Sequence, residues 1–336
     1  MGLDGLPHAL SCLPDDDEPS FLFARGLFAS FLSAGIGAAV TNPLELVKVR
    51  WQVTPESMRT ATNMSGFASE IVAKEGVMRG ISVNFMAIGV SAIGRVGLYP
   101  TVRDVFVGAR GGDVAKPTPG DMFISGLLAG AIGYFIATPV FAQKTIIQAE
   151  AGLVDPKSGL LTTGAKAGSA PTSPNGWIAG MAAVAKKDGI GGWFKGSGPL
   201  VVRGATLSAG NQLGYDGFKT ATSGVLPEGT RAADLRSHTS SLMQQILASI
   251  MGALGSTVCA TPADVVTTRY LAEPGKFASP IACATTIMSQ EGLGFPFLKE
   301  AGFYRGSTAL FVKLAPLYML SLPLNEGLRS MLGLSS

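Results

Sequence analysis

The chain has 336 residues, of which only 15% are charged and 47% are hydrophobic, with 44 glycines and a mean hydropathy of +0.34. That balance fits a polytopic membrane protein with close helix contacts better than a soluble enzyme or a soluble helical bundle. A net charge of +3 is too small for nucleic-acid binding, and three cysteines (Cys12, Cys259, Cys283) have neither metal nor disulfide spacing.

Taken in order, residues 1–19 carry Asp15, Asp16, Asp17 and Glu18 and read as a disordered acidic lead. No arginine-rich presequence or signal peptide precedes the first apolar run, so any targeting information is expected to be internal. The fold class expected is an all-α membrane protein with six transmembrane helices, over 21–52, 79–107, 118–149, 195–220, 240–271 and 305–331. Short amphipathic helices are expected between the members of each pair, near 64–74, 176–187 and 278–290. The units are the lead 1–19, repeat 1 over 20–112, repeat 2 over 113–230 and repeat 3 over 231–336. The Gly-, Ser-, Thr- and Pro-rich stretch 151–174 reads as an insertion in repeat 2.

The threefold repeat is visible in the residues. Pro43, Pro139 and Pro262 each end a long apolar, glycine-rich run. Gly80, Gly196 and Gly306 open the second helices, each after a base. Seven residues on stand Ala87, Arg203 and Lys313; twenty on, Pro100, Asp216 and Glu326; twenty-three on, Arg103, Lys219 and Arg329. The distance from proline to glycine is 37, 57 and 44 residues, so length varies only in the connection. Small residues four apart recur in register before the prolines, at Ser30/Ala34, Gly126/Gly130 and Ser249/Ala253, a spacing that lets helices approach closely in lipid.

Each of Pro43, Pro139 and Pro262 removes a backbone donor and is expected to kink its helix. Three kinked helices around an axis converge at their feet. That brings Glu45, Lys48, Lys144 and Asp264 together, where they close the bottom of a central cavity. Intramembrane charges cost roughly 2.5–3.5 kcal/mol each on insertion scales, so they need partners or water.

At these residues the chain resembles the mitochondrial carrier family, over about 20–331. Pro43-Leu44-Glu45-Leu46-Val47-Lys48-Val49-Arg50 is similar to the family's signature at the end of an odd-numbered helix, and Asp188-Gly189-Ile190-Gly191-Gly192-Trp193-Phe194-Lys195-Gly196 to the motif before an even one. Within the family, Arg95-Val96-Gly97-Leu98-Tyr99, the run Thr257–Arg269 and Lys313-Leu314-Ala315-Pro316 resemble the dicarboxylate, oxoglutarate and uncoupling-protein branch.

The resemblance implies two gates. On the matrix side the family's cyclic pairing gives Glu45–Lys144, Asp264–Lys48 and Phe141–Thr267, with Gln52 and Gln148 as braces; the third pair has lost both charges. Losing both partners is far cheaper than losing one, so the pattern reads as a gate rebuilt with two bridges, the alternative being drift in a protein that no longer moves. On the cytoplasmic side the resemblance implies Glu326–Arg103 and Asp216–Arg329, with Lys219 left over. Substrate contacts carry over to Ala87 with Ile88, Arg203 with Gly204, and Lys313. Two cations there favour an anion, and Asn211 adds a neutral hydrogen-bonding group. Arg95 is either a third cavity cation or a brace for the bundle.

The function expected is therefore exchange of small organic anions, of the di- or oxo-carboxylate class, by alternating access across the mitochondrial inner membrane. Both termini are expected to face the intermembrane space. No cofactor, metal or nucleic acid is expected; the partners are a small anionic solute and membrane lipid, cardiolipin being the candidate lipid. The chain is expected to be a monomer. A rival from another class is a carrier-shaped scaffold subunit of a larger assembly, with little or no transport.

Overall fold

The computed structural model describes residues 19–54, 63–74, 77–114, 118–150, 152–163, 166–173, 175–223, 238–273 and 275–334. The acidic lead and most of the linker between repeats 2 and 3 lie outside the described residues. Within them the chain is helical, with two isolated antiparallel bridges, Val154–Leu161 and Phe295–Lys299.

Repeat 1 comprises α1 (Pro19–Val40), α2 (Asn42–Val53), α3 (Met64–Lys74), α4 (Ile81–Ala92) and α5 (Tyr99–Ala109). Repeat 2 comprises α6 (Pro119–Ala149), α7 (Trp177–Asp188) and α8 (Ser197–Ser223); repeat 3 comprises α9 (His238–Ala272), α10 (Pro280–Glu291) and α11 (Ser307–Met331). The long helices pack as a closed ring: α1 against α4, α4 against α6, α6 against α8, α8 against α9, α9 against α11, and α11 back against α1. Five spans, Ser20–Val40, Ile81–Ala109, Gly120–Ala149, Ile246–Ala272 and Gly302–Met331, are long and apolar enough to cross a membrane. The remaining member of the ring, α8, carries Arg203, Asp216 and Lys219 and is less apolar.

Local sequence explains the helix ends. Thr118 and Asp121 cap α6 reciprocally: the Asp121 carboxylate accepts from the Thr118 N–H at 2.9 Å, and Thr118 Oγ1 accepts from the Asp121 N–H at 3.3 Å. The glycines that open α4, α8 and α11 sit at left-handed backbone, with φ of 75° at Gly80, 87° at Gly196 and 78° at Gly306. A side chain is strained in that conformation, which accounts for glycine recurring there in all three repeats. Close helix approach needs glycine as well. A Cβ on Gly94 would strike Gly133 of α6, and one on Gly210 of α8 would lie 2.5 Å from the Gly255 carbonyl of α9.

Two long helices depart from the continuous spans expected. Pro43 breaks the first, so α1 and α2 meet at Thr41, whose hydroxyl donates to the Gly37 carbonyl at 2.8 Å. Pro139 and Pro262 do not break theirs: α6 and α9 run through them. The carbonyl that Pro262 leaves without its donor belongs to Val258, and the Tyr304 hydroxyl reaches it at 3.5 Å. The second span is interrupted by a π-helical turn, Ile93–Gly97, closed by the Leu98 N–H donating to the Ile93 carbonyl at 2.8 Å.

The insertion after α6 is folded against the protein. Glu150, 4% exposed, accepts from the Thr172 N–H at 2.9 Å, from the Thr172 hydroxyl, and from Lys166 Nζ at 2.7 Å. Lys166 also donates to the Ala272 carbonyl at the end of α9 (3.4 Å), and Arg79 of repeat 1 donates to the Gly152 carbonyl. The insertion therefore touches all three repeats.

Candidate functional site

The feet of the first long helices of the three repeats converge, with α2 packed against both α6 and α9 and α6 against α9. At that convergence Glu45, Lys48, Lys144 and Asp264 meet, each no more than 2% exposed. Lys144 is ion-paired with Glu45. Lys48 donates to Asp264 Oδ2 at 2.9 Å and Oδ1 at 3.2 Å, and Gln52 Nε2 donates to the same Oδ2 at 2.9 Å. Below lies an apolar floor of Val49, Ala149 and Ala272, one residue from each repeat.

The two bases expected in the cavity are drawn into the same cluster. Lys313 Nζ lies 2.6 Å from Glu45 Oε2, and Arg203 Nε donates to Asp264 Oδ1. Arg203 is 3% exposed and Lys313 2%. Each carboxylate thus serves one base from the foot of a repeat's first long helix and one from a repeat's last helix. Glu45 takes Lys144 of α6 and Lys313 of α11; Asp264 takes Lys48 of α2 and Arg203 of α8. Lys48 also approaches Glu45, at 3.8 Å. Four bases face two acids within a buried site, so the bases outnumber their carboxylates two to one.

Phe141 occupies the corner where the third bridge is missing. Its ring packs 5.0 Å from that of Tyr134, with Lys144 Nζ 5.0 Å and the Arg203 guanidinium carbon 5.5 Å from its centroid. The π face gives the surplus cations a partial counter-charge. Thr267 does not pair with it; the hydroxyl is engaged with the carbonyls of Pro199 (3.0 Å) and Ala263 (2.6 Å).

Other expected contacts fall elsewhere. Ala87 and Ile88, at 0% and 3% exposure, are packed in an apolar cluster with Ala34, Ala38 and Tyr134. Gly204 is where the Tyr134 ring crosses α8, with no room for a Cβ. Gln148 braces no bridge: it donates to Asn42 Oδ1 at 3.2 Å, and Asn42 in turn donates to the Val77 carbonyl at 2.9 Å.

Toward the termini the ring opens into a cavity of about 320 Å³, lined among others by Arg95, Ser208, Asn211, Tyr318, Asn325 and Glu326. At its rim the expected Glu326–Arg103 bridge is replaced: Arg103 pairs with its neighbour Asp104 at 2.8 Å. Arg329 lies beside Gly26 of α1. The side chains of Asp216 and Lys219 are outside the described residues.

Sequence reasoning missed a tie that closes the foot between repeats 3 and 1. Arg269 grips Glu291 with two hydrogen bonds, of 2.6 and 2.9 Å, and donates to the Gln52 carbonyl at 3.2 Å. Arg305 donates to Glu291 at 3.2 Å and to the Thr54 carbonyl at 3.0 Å. The signal was present in the base before Gly306, but its acid stands on α10, outside the repeat offsets.

A sixfold helix ring with a charged foot in threefold register admits a direct comparison with known proteins. The family model described as mitochondrial carrier protein matches three times, over residues 20–110, 115–225 and 238–336. The chain belongs to this family. Its members are transporters, so the protein is a membrane transporter and not an enzyme. It is similar to the putative mitochondrial transporter UCP3 of Homo sapiens, with 26% identity over 316 residues, covering 90% of this chain and 89% of that protein. It is also similar to the mitochondrial brown fat uncoupling protein 1 of Dicrostonyx groenlandicus (25% identity, 86% and 85% coverage) and of Rattus norvegicus (24%, 86% and 85%).

Proposed function

We propose that this carrier moves small organic anions across the mitochondrial inner membrane by alternating access, with the charged foot as the matrix gate and the rim of the cavity as the cytoplasmic one. The observation that carries this reading is the double use of Glu45 and Asp264. Arg203 and Lys313 are held by the very carboxylates that hold Lys48 and Lys144. An anion reaching Arg203 and Lys313 competes with those carboxylates. Binding then loosens the foot, because the substrate has higher affinity for the state in which the gate bridges are broken. The solute supplies the missing negative charge, and opening on the other side follows without hydrolysis or a cofactor.

The test is uptake of labelled anions by proteoliposomes. Arg203→Ala and Lys313→Ala are each expected to abolish it, since truncating one partner of a desolvated charge pair costs roughly 2–5 kcal/mol. Uptake at the wild-type rate by both variants would sink the assignment. Uncoupling, the property in the relatives' names, is read in the same vesicles as proton conductance without added anion. For orientation, protease added to mitoplasts should remove the acidic lead and spare 151–174.

A second reading is a scaffold with the carrier fold. It is supported by the insertion, whose bonds to Ala272 and from Arg79 tie all three repeats at the foot. A wild-type protein that carries none of a broad anion panel favours it.

A further inference from the structure

The connection between α10 and α11 is longer than its counterparts in the other repeats. Fourteen positions separate Gly292 from Gly306, against seven from Gly189 to Gly196 and four from Gly76 to Gly80. The extra residues fold into a finger over 293–301. Phe295 and Lys299 exchange backbone hydrogen bonds of 2.8 and 3.1 Å, and the chain reverses between them. The reversal is a γ-turn: the Leu298 N–H donates to the Pro296 carbonyl at 2.8 Å, across Phe297 with its φ of 62°. Among the described residues Phe297 is the one non-glycine residue at positive φ. A turn of this hand is rare and strained, and it persists only where the surroundings hold it.

The hold comes from α11. The Phe297 N–H donates to Ser307 Oγ at 3.0 Å, and the Phe297 ring stands edge-on to Phe311 at 5.9 Å. Glu300 Oε1 accepts from the Ser307 hydroxyl at 3.0 Å and from the Thr308 N–H at 2.6 Å. The finger is thus rooted on the first turn of α11, at the foot end of the ring.

What the finger holds out is apolar. Leu298 is 85% exposed, and Leu293 and Phe295 are 57% each. An ordered, strained loop that displays large apolar side chains is unfavourable in water and marks a contact surface. Its position selects the contact. The root lies inside the span Gly302–Met331, and Val312, next to Phe311, is an exposed apolar residue of that span. The finger therefore continues the surface that the span turns to lipid. Charge agrees: Glu300 is turned inward onto α11, and Lys299 is left exposed beside the tip. A lysine with an apolar stem next to aromatic and aliphatic side chains suits the headgroup level of a bilayer.

We infer that the finger 293–301 is a membrane-interface anchor, with Leu298 and Phe295 among the acyl chains at the foot end of the ring and Lys299 at the headgroups. Its partner is lipid, not a second protein chain. The inference is independent of which solute is carried.

The experiment uses the full-length protein in nanodiscs and reads the tryptophan emission that Leu298→Trp adds to that of the wild type. The probes are a lipid brominated on its acyl chains near the headgroup, and acrylamide in the water. The added emission should be blue-shifted, lose most of its intensity to the brominated lipid, and resist acrylamide. Phe295→Trp should behave alike, and it serves if Leu298→Trp does not fold. Quenching by acrylamide and not by the brominated lipid would put the finger in water and overturn the inference. Quenching by neither would overturn it too, since the finger would then be covered by protein.

Discussion

The two ends of the ring carry the same kinds of charge and use them differently. At the foot, each carboxylate is shared between bases from different repeats, and every member is buried. At the rim, Arg103 pairs with the residue next to it, at 30% and 46% side-chain exposure. A bridge between repeats resists their separation; a bridge between neighbours on one helix does not. The described rim bridge that does join repeats, Arg110–Asp121, has its arginine more than half exposed, so the foot is the more tightly held end, and burial sets how much each pair contributes.

The largest expected effect is at Glu45. Replacing it by Gln leaves Lys144 and Lys313 buried without their counter-charge, which should cost roughly 3–5 kcal/mol. The melting temperature of the purified protein measures this. A drop no larger than that of a rim variant would break the comparison between the two ends.

Much of the foot was legible in the sequence because the repeat copies residues at fixed offsets. Once Pro43, Pro139 and Pro262 were in register, Glu45, Lys48, Lys144 and Asp264 had to share a level, and they do. What offsets cannot carry is side-chain reach. Arg203 and Lys313 stand on α8 and α11, beside the helices α9 and α2 that carry Asp264 and Glu45, and their long side chains extend to those carboxylates. Nor does an offset tell a small residue that lines a cavity from one that admits a neighbour, and Ala87 and Gly204 are of the second kind. The insertion read as loop because its composition is that of loops. Its attachment depends on Glu150, Lys166 and Thr172 meeting across a turn.

The insertion offers the next largest change. Glu150→Ala removes the acceptor for Lys166 and for the Thr172 backbone and hydroxyl. A hydrogen bond to a charged group is worth about 1.5–3 kcal/mol, so a loss of about 2 kcal/mol is expected, with faster proteolysis within 151–174. If the strap holds the foot shut, uptake should also rise. Unchanged proteolysis would show that Glu150 does not anchor it.

Phe141 tests what replaced the third bridge. Phe141→Leu keeps most of the volume and removes the π face under Lys144 and Arg203, for an expected loss of about 1 kcal/mol. A carboxylate introduced by Phe141→Asp should find counter-charges, because two bases, Lys144 and Arg203, already face that position. A double-mutant cycle between Phe141→Leu and Lys144→Met reads the coupling directly. Zero coupling would mean that the ring only fills space.

The smallest stability effect belongs to the rim, where its absence is informative. Asp104→Asn breaks the pair with Arg103, but both side chains are partly in water, and exposed pairs contribute about 0–1 kcal/mol. The melting temperature should therefore hardly move. Transport is a separate matter. If Arg103 must turn from Asp104 to Glu326 when the rim closes, Asp104→Asn frees it to do so, and uptake should keep pace with the wild type or exceed it. Arg103→Gln should slow uptake at an unchanged melting temperature, because it removes a bridge that this open state does not contain. A fall in melting temperature matching that of Glu45→Gln would place a structural bridge at the rim and remove the distinction between the two ends. Unchanged uptake with Arg103→Gln would leave the distinction standing but take Arg103 out of the gate.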